Sequence, residues 1–400
     1  METAGGVHSP TPTGTTQADL YIPLRAPVVL IGDARLGGIS QTISAFEALR
    51  MRGYDVQSVM LFQDSTYQNY IYLTDYFHSK YNIPVMSAGA PPEKASDAKA
   101  DARNLEQYYS QRADESVVSV LEHLDSQHQS RIKALEEMPS KAHSTIWYPF
   151  TQQKLLTPEK ITAIDSAYGD FFQTLNSDSE SVLKASFDGS ASWWTQGLGH
   201  ANPQLTLAAA YAAGRYGHVM FAESIHQPAL TLAESLLKGM ENPRMSRVFF
   251  SDNGSTGIEV ALKMGLRAAK NRYNLQKKNL GVIGLKGGYH GDTIGAMDCA
   301  EPCTYNEKIE WYEGKGYWFD YPTILCSDGT WTITTVEGKQ IEFESLDAIF
   351  DVEAREQQGQ HKAYEQYITA ELEKLHQQGR NFGALILEPI VLGAGGMAFV

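Results

Sequence analysis

The sequence predicts an α/β protein, and three observations carry that prediction. Continuous apolar runs, such as Pro27–Gly32, Gly281–Leu285 and Ala384–Leu387, alternate with helical patterns, as the strands of a buried parallel sheet do. These runs end in polar, often glycine-bearing turns, and ligands of open α/β sheets bind at such strand ends. The 400 residues are 42% hydrophobic, enough to fill more than one core, and the length suggests two or three domains. A net charge of −14 argues against a general nucleic-acid or anionic-membrane surface. The cysteines, Cys299, Cys303 and Cys326, have no metal-ligand spacing and form no even disulfide set, which suits a reducing compartment. No apolar run approaches the length of a membrane span.

Residues 1–65 read as the end of one α/β unit. Gly5 and Gly6 open a loop, Pro27–Gly32 is a strand, and Asp33–Gly38 feeds a helix through Ser40 that stops near Arg52-Gly53. Val56–Phe62 is the next strand and completes a βαβ unit. The glycine loops serve equally well as tight turns or as ligand loops. A helix over Tyr67–Lys80 precedes Ile83–Val85, and Pro91-Pro92 marks a surface segment. From Asn104 to Glu137 the pattern is helical and charged, with Val117, Val118, Val120 and Leu121 as its apolar face. Ser126–Gln129 reads as a solvated turn. A linker is placed at 126–142, between a first domain at 1–125 and a second at 143–400.

The second domain opens on the aromatic cluster Ile146–Phe150. A β region, Ile161–Leu175, leads to Ser190–Gly197, which carries adjacent Trp193 and Trp194. Read as strand neighbours they point to opposite faces, one toward core and one toward a cavity. Helices over Pro203–Tyr216 and Gln227–Gly239 come next, then a short strand at Val248–Phe250. The turn after it opens a helix whose Ile258, Leu262 and Leu266 share a face, with Ala261, Met264 and Ala268 filling in. The strand Gly281–Leu285 ends in Lys286–Thr293, and 304–345 is a β excursion with turns at Asp328-Gly329 and Glu337-Gly338. A helix over Lys362–Gln378 closes on Gly379, and the strand Ala384–Leu387 carries Glu388 at its carboxyl end.

Polar groups thus gather at the Gly254-Ser255-Thr256 turn, at Tyr289-His290 and at Glu388. A helix start with hydroxyls and unpaired N–H groups is either an ordinary N-cap or an anion site. Alone, His290 reads as a satisfied loop histidine and Tyr289 as core. Together with a carboxylate, the three sites suit a planar, phosphorylated heteroaromatic ligand, a description that pyridoxal phosphate meets.

Six segments in order carry a resemblance: Trp147–Gln152, Ser192–Trp194, Gly217–Phe221, Ser251–Thr256, Gly288–Thr293 and Leu387–Ile390. Through them the chain from about residue 143 onward resembles the 7,8-diaminopelargonate aminotransferases, which are fold-type I pyridoxal phosphate enzymes of biotin formation. The resemblance implies that Gly254 and Ser255 hold the cofactor phosphate, that Tyr289 stacks on the pyridine ring, and that Glu388 sits beside the cofactor. Phe150, Trp193, Trp194 and Tyr289 would line the substrate pocket. Phe150 stands where many members have tyrosine, and Leu392 where bacterial members often have glutamine. Glu2–Gly6 and Leu36–Ser40 make residues 1–65 resemble the carboxyl half of dethiobiotin synthetases, a P-loop-type α/β domain. That implies Glu2 as a magnesium ligand, Glu2, Thr3, Ala4 and Gly5 along ATP, and Gly37, Gly38 and Ser40 against the diamine.

Both resemblances on one chain are similar to the eukaryotic bifunctional enzymes. They imply a homodimer, mitochondrial or alternatively cytoplasmic, acting on 7-keto-8-aminopelargonate, S-adenosylmethionine, diaminopelargonate, ATP and carbon dioxide. From the charge and the absence of a membrane-length apolar run, no nucleic-acid or membrane partner is expected. In those families the nucleotide loop precedes the segment matching Glu2, and the Schiff-base lysine follows the one matching Glu388. No lysine here matches it, so no catalytic residue is assigned, and a fragment inactive in both halves is expected. Two other readings stand beside this one: another class-III (ω-amino acid) aminotransferase fused to an ATP-binding domain, and a non-catalytic interaction or regulatory protein.

Overall fold

Val28–Ile31 (β1), Val56–Phe62 (β2) and Val85–Ala88 (β3) form a parallel sheet in the order β1-β2-β3, as their apolar character requires. In this computed structural model the described residues are 1–400 apart from Ala4, Ala113, Phe150, 177–181, Met220, Phe221, Lys277, Gly395, Phe399 and Val400, and the side chains of 111–115. The chain divides into two units, Met1–Ser224 and Ile225–Val400.

In the first unit α1 (Gln17–Leu20), α2 (Gly38–Arg50) and α3 (Asn69–Tyr81) accompany the sheet. Phe46 of α2 and Phe77 of α3 meet edge to face at 4.9 Å over buried Leu30, Val59 and Leu61. Tyr54 Oη donates to Ala18 O at 2.8 Å and Arg52 Nε to Asp19 Oδ1 at 2.7 Å, which fastens α1 to the βαβ unit. The helices α4 (Ala98–Arg112) and α5 (Asp114–Thr145) follow. Ser126–Gln129 and the expected linker at 126–142 lie within α5, not in a turn or an open linker. No glycine interrupts this stretch, and although Pro139 withholds one backbone donor the helix runs past it to Thr145. Of the apolar face read from sequence only Val120 is buried, while Val117, Val118 and Leu121 are exposed. Packing chose a narrower stripe, which runs on to buried Leu135.

The strands β4 (Ile164–Tyr168), β5 (Phe171–Leu175) and β6 (Leu183–Phe187) make an antiparallel meander, and α6 (Pro203–Tyr216) follows, capped by Asn202. Arg131 Nε of α5 donates to Asp165 Oδ1 of β4 at 2.7 Å, and Arg25 pairs with Asp55 at 2.8 Å. His123 Nε2 lies 3.0 Å from Gln57 O of β2. One helix thus touches both sheets of this unit.

The second unit begins with α7 (Gln227–Gly239). Val248–Phe250, read as a strand, is not one: no strand pairs with it among the described residues, and Phe249 is exposed. Then come α8 (Gly254–Arg272), β7 (Gly281–Leu285), α9 (Ile294–Met297) and β8 (Gly316–Phe319). On α8 the face of Ile258, Leu262 and Leu266 is half-buried, but Ala261, Met264 and Ala268 are exposed and Ala269 is the buried alanine. The β excursion is the meander β9 (Thr323–Ser327), β10 (Thr330–Thr334) and β11 (Gln340–Phe343), turning at Asp328-Gly329 with φ of 50° and 80°. Helices α10 (Leu346–Phe350), α11 (Val352–Gln357) and α12 (His361–Gln377) lead to β12 (Phe382–Leu385), which pairs in parallel in the order β12-β7-β8. A short hairpin of β13 (Val391–Leu392) and β14 (Met397–Ala398) ends the described chain. Among the described residues no helix is long and apolar enough to cross a membrane.

Candidate functional site

The start of α8 is built by Asn253. Its extended backbone lets Oδ1 accept from Thr256 N at 3.0 Å and from Thr256 Oγ1 at 2.9 Å, while Asn253 O takes Gly257 N at 3.1 Å. The N–H groups of Gly254 and Ser255 remain, with no acceptor among the described residues, at the positive end of a 19-residue helix. A Cβ built on Gly254 meets nothing within 4 Å, so space for a ligand lies beside those donors.

Three loops converge there. Ser255 Oγ donates to Asp292 Oδ1 at 3.0 Å and accepts from Asp292 N at 3.1 Å. Gly291 permits that approach, since a Cβ on it would stand 2.5 Å from Ser255 Oγ, and its φ of +133° suits glycine. Tyr289 N donates to Glu388 Oε1 at 2.7 Å and Gly393 N to Glu388 Oε2 at 2.6 Å, so one carboxylate ties two strand-end loops. Tyr289 is 45% exposed, so its side chain is within reach of a ligand. His290 is buried, and its Nε2 has no partner among the described residues. Burial holds its pKa below the usual value against the pull of Glu388, so the imidazole is neutral. Lys286 is engaged by Asp320 at 2.8 Å, and Lys263 is paired with Glu259 at 3.4 Å.

Of the four residues assigned to the cofactor from sequence, Ser255 is bonded to Asp292 and Glu388 to Tyr289 N, and the 289–292 segment between them packs on Ser255 through Gly291, with Gly254 next in the chain. The set fits a phosphate through its backbone donors and a planar ring through Tyr289. It fits less simply at Ser255, whose only proton is already given to Asp292. Sequence reading passed over Asn253, Asp292 and Gly393. Asparagine ahead of Gly-Ser-Thr is a capping signal that could have found the first; nothing local marks the other two.

In the first unit Gly37 (φ +88°) and Gly38 begin α2, and Ser40 lies exposed in its first turn. A Cβ on Gly38 would lie 2.0 Å from Asp33 O. Buried Asn69 donates from Nδ2 to Asp33 O at 3.0 Å and Arg35 O at 2.7 Å, which pins this loop from beneath. Glu2 and Thr3 are exposed, and Gly5 takes a φ of +78°. Among the described residues no hydrogen bond joins them to the Gly37 loop, and no three His, Cys, Asp or Glu groups cluster as metal ligands. A lone Glu2 still suits magnesium, which takes one or two carboxylates and fills its shell with phosphate oxygens and water. Ala4 and Phe150 lie outside the described residues.

Trp193 and Trp194 are not on a strand. Ala191, Ser192, Trp193 and Trp194 have φ of 45°, 46°, 57° and 71°, a left-handed turn that leaves the tryptophans 65% and 71% exposed. Such backbone costs about 1–2 kcal/mol per non-glycine residue, so surrounding bonds must hold it. Backbone bonds hold part of it, from Ala191 N to Asp188 O at 3.1 Å, Trp194 N to Ser190 O at 3.1 Å and Gln196 N to Ala191 O at 3.0 Å. The side-chain bonds converge on buried Asp188: despite its burial, donors from His200, Ser192 and Ser190 hold its carboxyl far below the usual range.

The class-III aminotransferase family matches residues 183–400, more than half of the chain. The whole chain is 55% identical to a bifunctional dethiobiotin synthetase/adenosylmethionine-8-amino-7-oxononanoate aminotransferase of Emericella nidulans, 53% of which it covers. It is 40% identical, again over its full length, to the mitochondrial bifunctional dethiobiotin synthetase/7,8-diamino-pelargonic acid aminotransferase of Arabidopsis thaliana, 49% of which it covers. Over 65% of the chain it is 33% identical to an adenosylmethionine-8-amino-7-oxononanoate aminotransferase of Synechococcus elongatus, covering 51% of that protein. The chain spans about half the length of the curated relatives it matches. By the match over 183–400, the chain belongs to the class-III aminotransferase family.

Proposed function

We propose that the whole protein serves biotin formation with two activities. One transfers an amino group from S-adenosylmethionine to 7-keto-8-aminopelargonate; the other closes the ureido ring of dethiobiotin from the resulting diamine, carbon dioxide and ATP. The observation that carries this reading is the 55% identity to a bifunctional relative across the entire chain, residues 1–125 included. We assign 1–125 to the synthetase and 143–400 to the aminotransferase, joined through α5.

Pyridoxal phosphate, when bound, supplies the aldehyde that carries the amino group and a ring that takes up electrons from the substrate carbon. The chain's own residues bind and orient. The N–H groups of Gly254 and Ser255 receive the phosphate, and the Tyr289 side chain packs on the ring. Glu388 holds Tyr289 N and Gly393 N, which anchors the backbone that carries it. Phe150, Trp193 and Trp194 offer apolar surface to the pelargonate chain. In the synthetase part Glu2 binds magnesium, Thr3, Ala4 and Gly5 follow the nucleotide, and Gly37, Gly38 and Ser40 meet the diamine. A homodimer in the mitochondrion is the working assembly; the mitochondrial label of the Arabidopsis relative supports the location.

The test supplies full-length protein and pyridoxal phosphate with the keto acid and either S-adenosylmethionine or an ω-amino acid. Diaminopelargonate formed with the former, then ATP-dependent dethiobiotin, is the expected result. Turnover of ω-amino acids with none of the keto acid would overturn the assignment.

A further inference from the structure

Asp188 follows β6 directly, and its N–H is bonded to Asp170 O at 2.8 Å. Its carboxylate receives Ser192 Oγ at 2.9 Å, Ser190 Oγ at 3.1 Å and His200 Nε2 at 2.9 Å. His200 is anchored independently: its backbone exchanges two hydrogen bonds with Gly169, at 3.0 and 2.7 Å, and its ring lies 5.0 Å from that of Phe172. The serine, histidine and aspartate do not form a nucleophile relay. Both hydroxyls donate to the carboxylate, and His200 Nε2 serves the same group, so the imidazole is not bonded to Ser190 or Ser192 as a relay would require.

We propose that Asp188 is a positioning residue for the substrate. By drawing Ser190, Ser192 and the sheet-anchored His200 onto one carboxylate, it holds the left-handed Ala191–Trp194 turn and presents Trp193 and Trp194 as a fixed apolar platform for an aliphatic chain. The substrate class rests on the function proposed above; the holding of the turn does not. Four successive non-glycine residues in the left-handed region are strained. The backbone bonds of the turn, from Trp194 N to Ser190 O and Gln196 N to Ala191 O, leave its side-chain anchoring to Asp188. A platform that must be ordered anew at each encounter binds more weakly.

The experiment uses the full-length protein carrying Asp188→Asn, and separately His200→Ala and His200→Gln. An amide accepts at one oxygen only, so Asp188→Asn cannot satisfy the three side-chain donors together. Tryptophan emission, acrylamide quenching and near-ultraviolet dichroism are compared with those of a Trp193→Phe/Trp194→Phe protein to assign the change. Asp188→Asn and His200→Ala should alter these signals, and His200→Gln, which keeps a donor, should restore them in part. In turnover the first two should raise KM for the keto substrate on the order of tenfold and lower kcat much less, the signature of lost binding. Unchanged tryptophan signals in both Asp188→Asn and His200→Ala overturn the proposal, whether or not the keto acid is a substrate. Absent turnover by the unmodified protein instead overturns the function alone. Should Asp188→Asn fail to fold, the His200 pair decides between the same two outcomes.

Discussion

The two glycine-marked helix starts, Gly38 in α2 and Gly254 in α8, look alike in sequence and are built in opposite ways. At Gly38 glycine is required by the protein itself, because Asp33 O occupies the space a side chain would need. No side chain caps α2, and Asn69 supports the loop through its carbonyls. At Gly254 a side chain does the capping, and the space above the glycine is open. The first glycine lets a loop close on the protein; the second leaves room for something else. A glycine count cannot separate the two, whereas the neighbours of the missing Cβ can.

Substitutions can break this contrast between the two starts. Gly38→Ala should cost about 3 kcal/mol of stability by forcing backbone apart, measured by urea unfolding, and a loss below about 1 kcal/mol would contradict the required-glycine account. Asn69→Ala strands two carbonyls beneath the same loop and should cost about 2 kcal/mol in the same assay. Asn253→Ala removes one cap and should cost about 1 kcal/mol, with weaker pyridoxal phosphate binding by equilibrium dialysis. Gly254→Ala should be neutral or stabilising by roughly 0.5 kcal/mol, as alanine suits a helix, yet weaken the same binding by filling the space. If it left binding unchanged, the open space would not be the ligand's.

A pH dependence sharpens the contrast further. His290 is held below its usual 6.5 by burial, so the unfolded chain takes up its proton first as pH falls. Its contribution is intact above that value and lost as pH drops below it. Between pH 7.5 and 5.5 the unmodified protein should lose about 1–2 °C more in Tm than His290→Gln, read by calorimetry. An equal loss would show that His290 is not the titrating group.

Much of this architecture was legible in the chain. The runs at 28–31, 56–62 and 281–285 are apolar enough to be parallel strands, and they are, although Ile31 and Phe62 at their carboxyl ends stay exposed. Gly379 and the Asp328-Gly329 turn fall where their conformations demand. Val248–Phe250 looks no less strand-like, but a strand needs a neighbour to pair with, and pairing is not a property of three residues. The tryptophans misled for a related reason. Their turn depends on Asp188 and His200, twelve residues apart, and local propensity argues against left-handed backbone at tryptophan. At the candidate site, Glu388 was found by its place after a strand. Asp292 was missed because only folding brings it to Ser255.

The helix α5 has a consequence for how such a chain can change. It spans 32 residues, roughly 48 Å, and is gripped at His123 by β2 and at Arg131 by β4. One residue inserted between those grips would turn everything beyond by about 100°, and both could not be kept. Seven residues would restore the phase to within about 20° while lengthening the rod by roughly 10 Å. The join between the two sequence halves is therefore a matter of helical phase, and insertions of about seven or eleven residues, near two or three whole turns, are the ones that keep it.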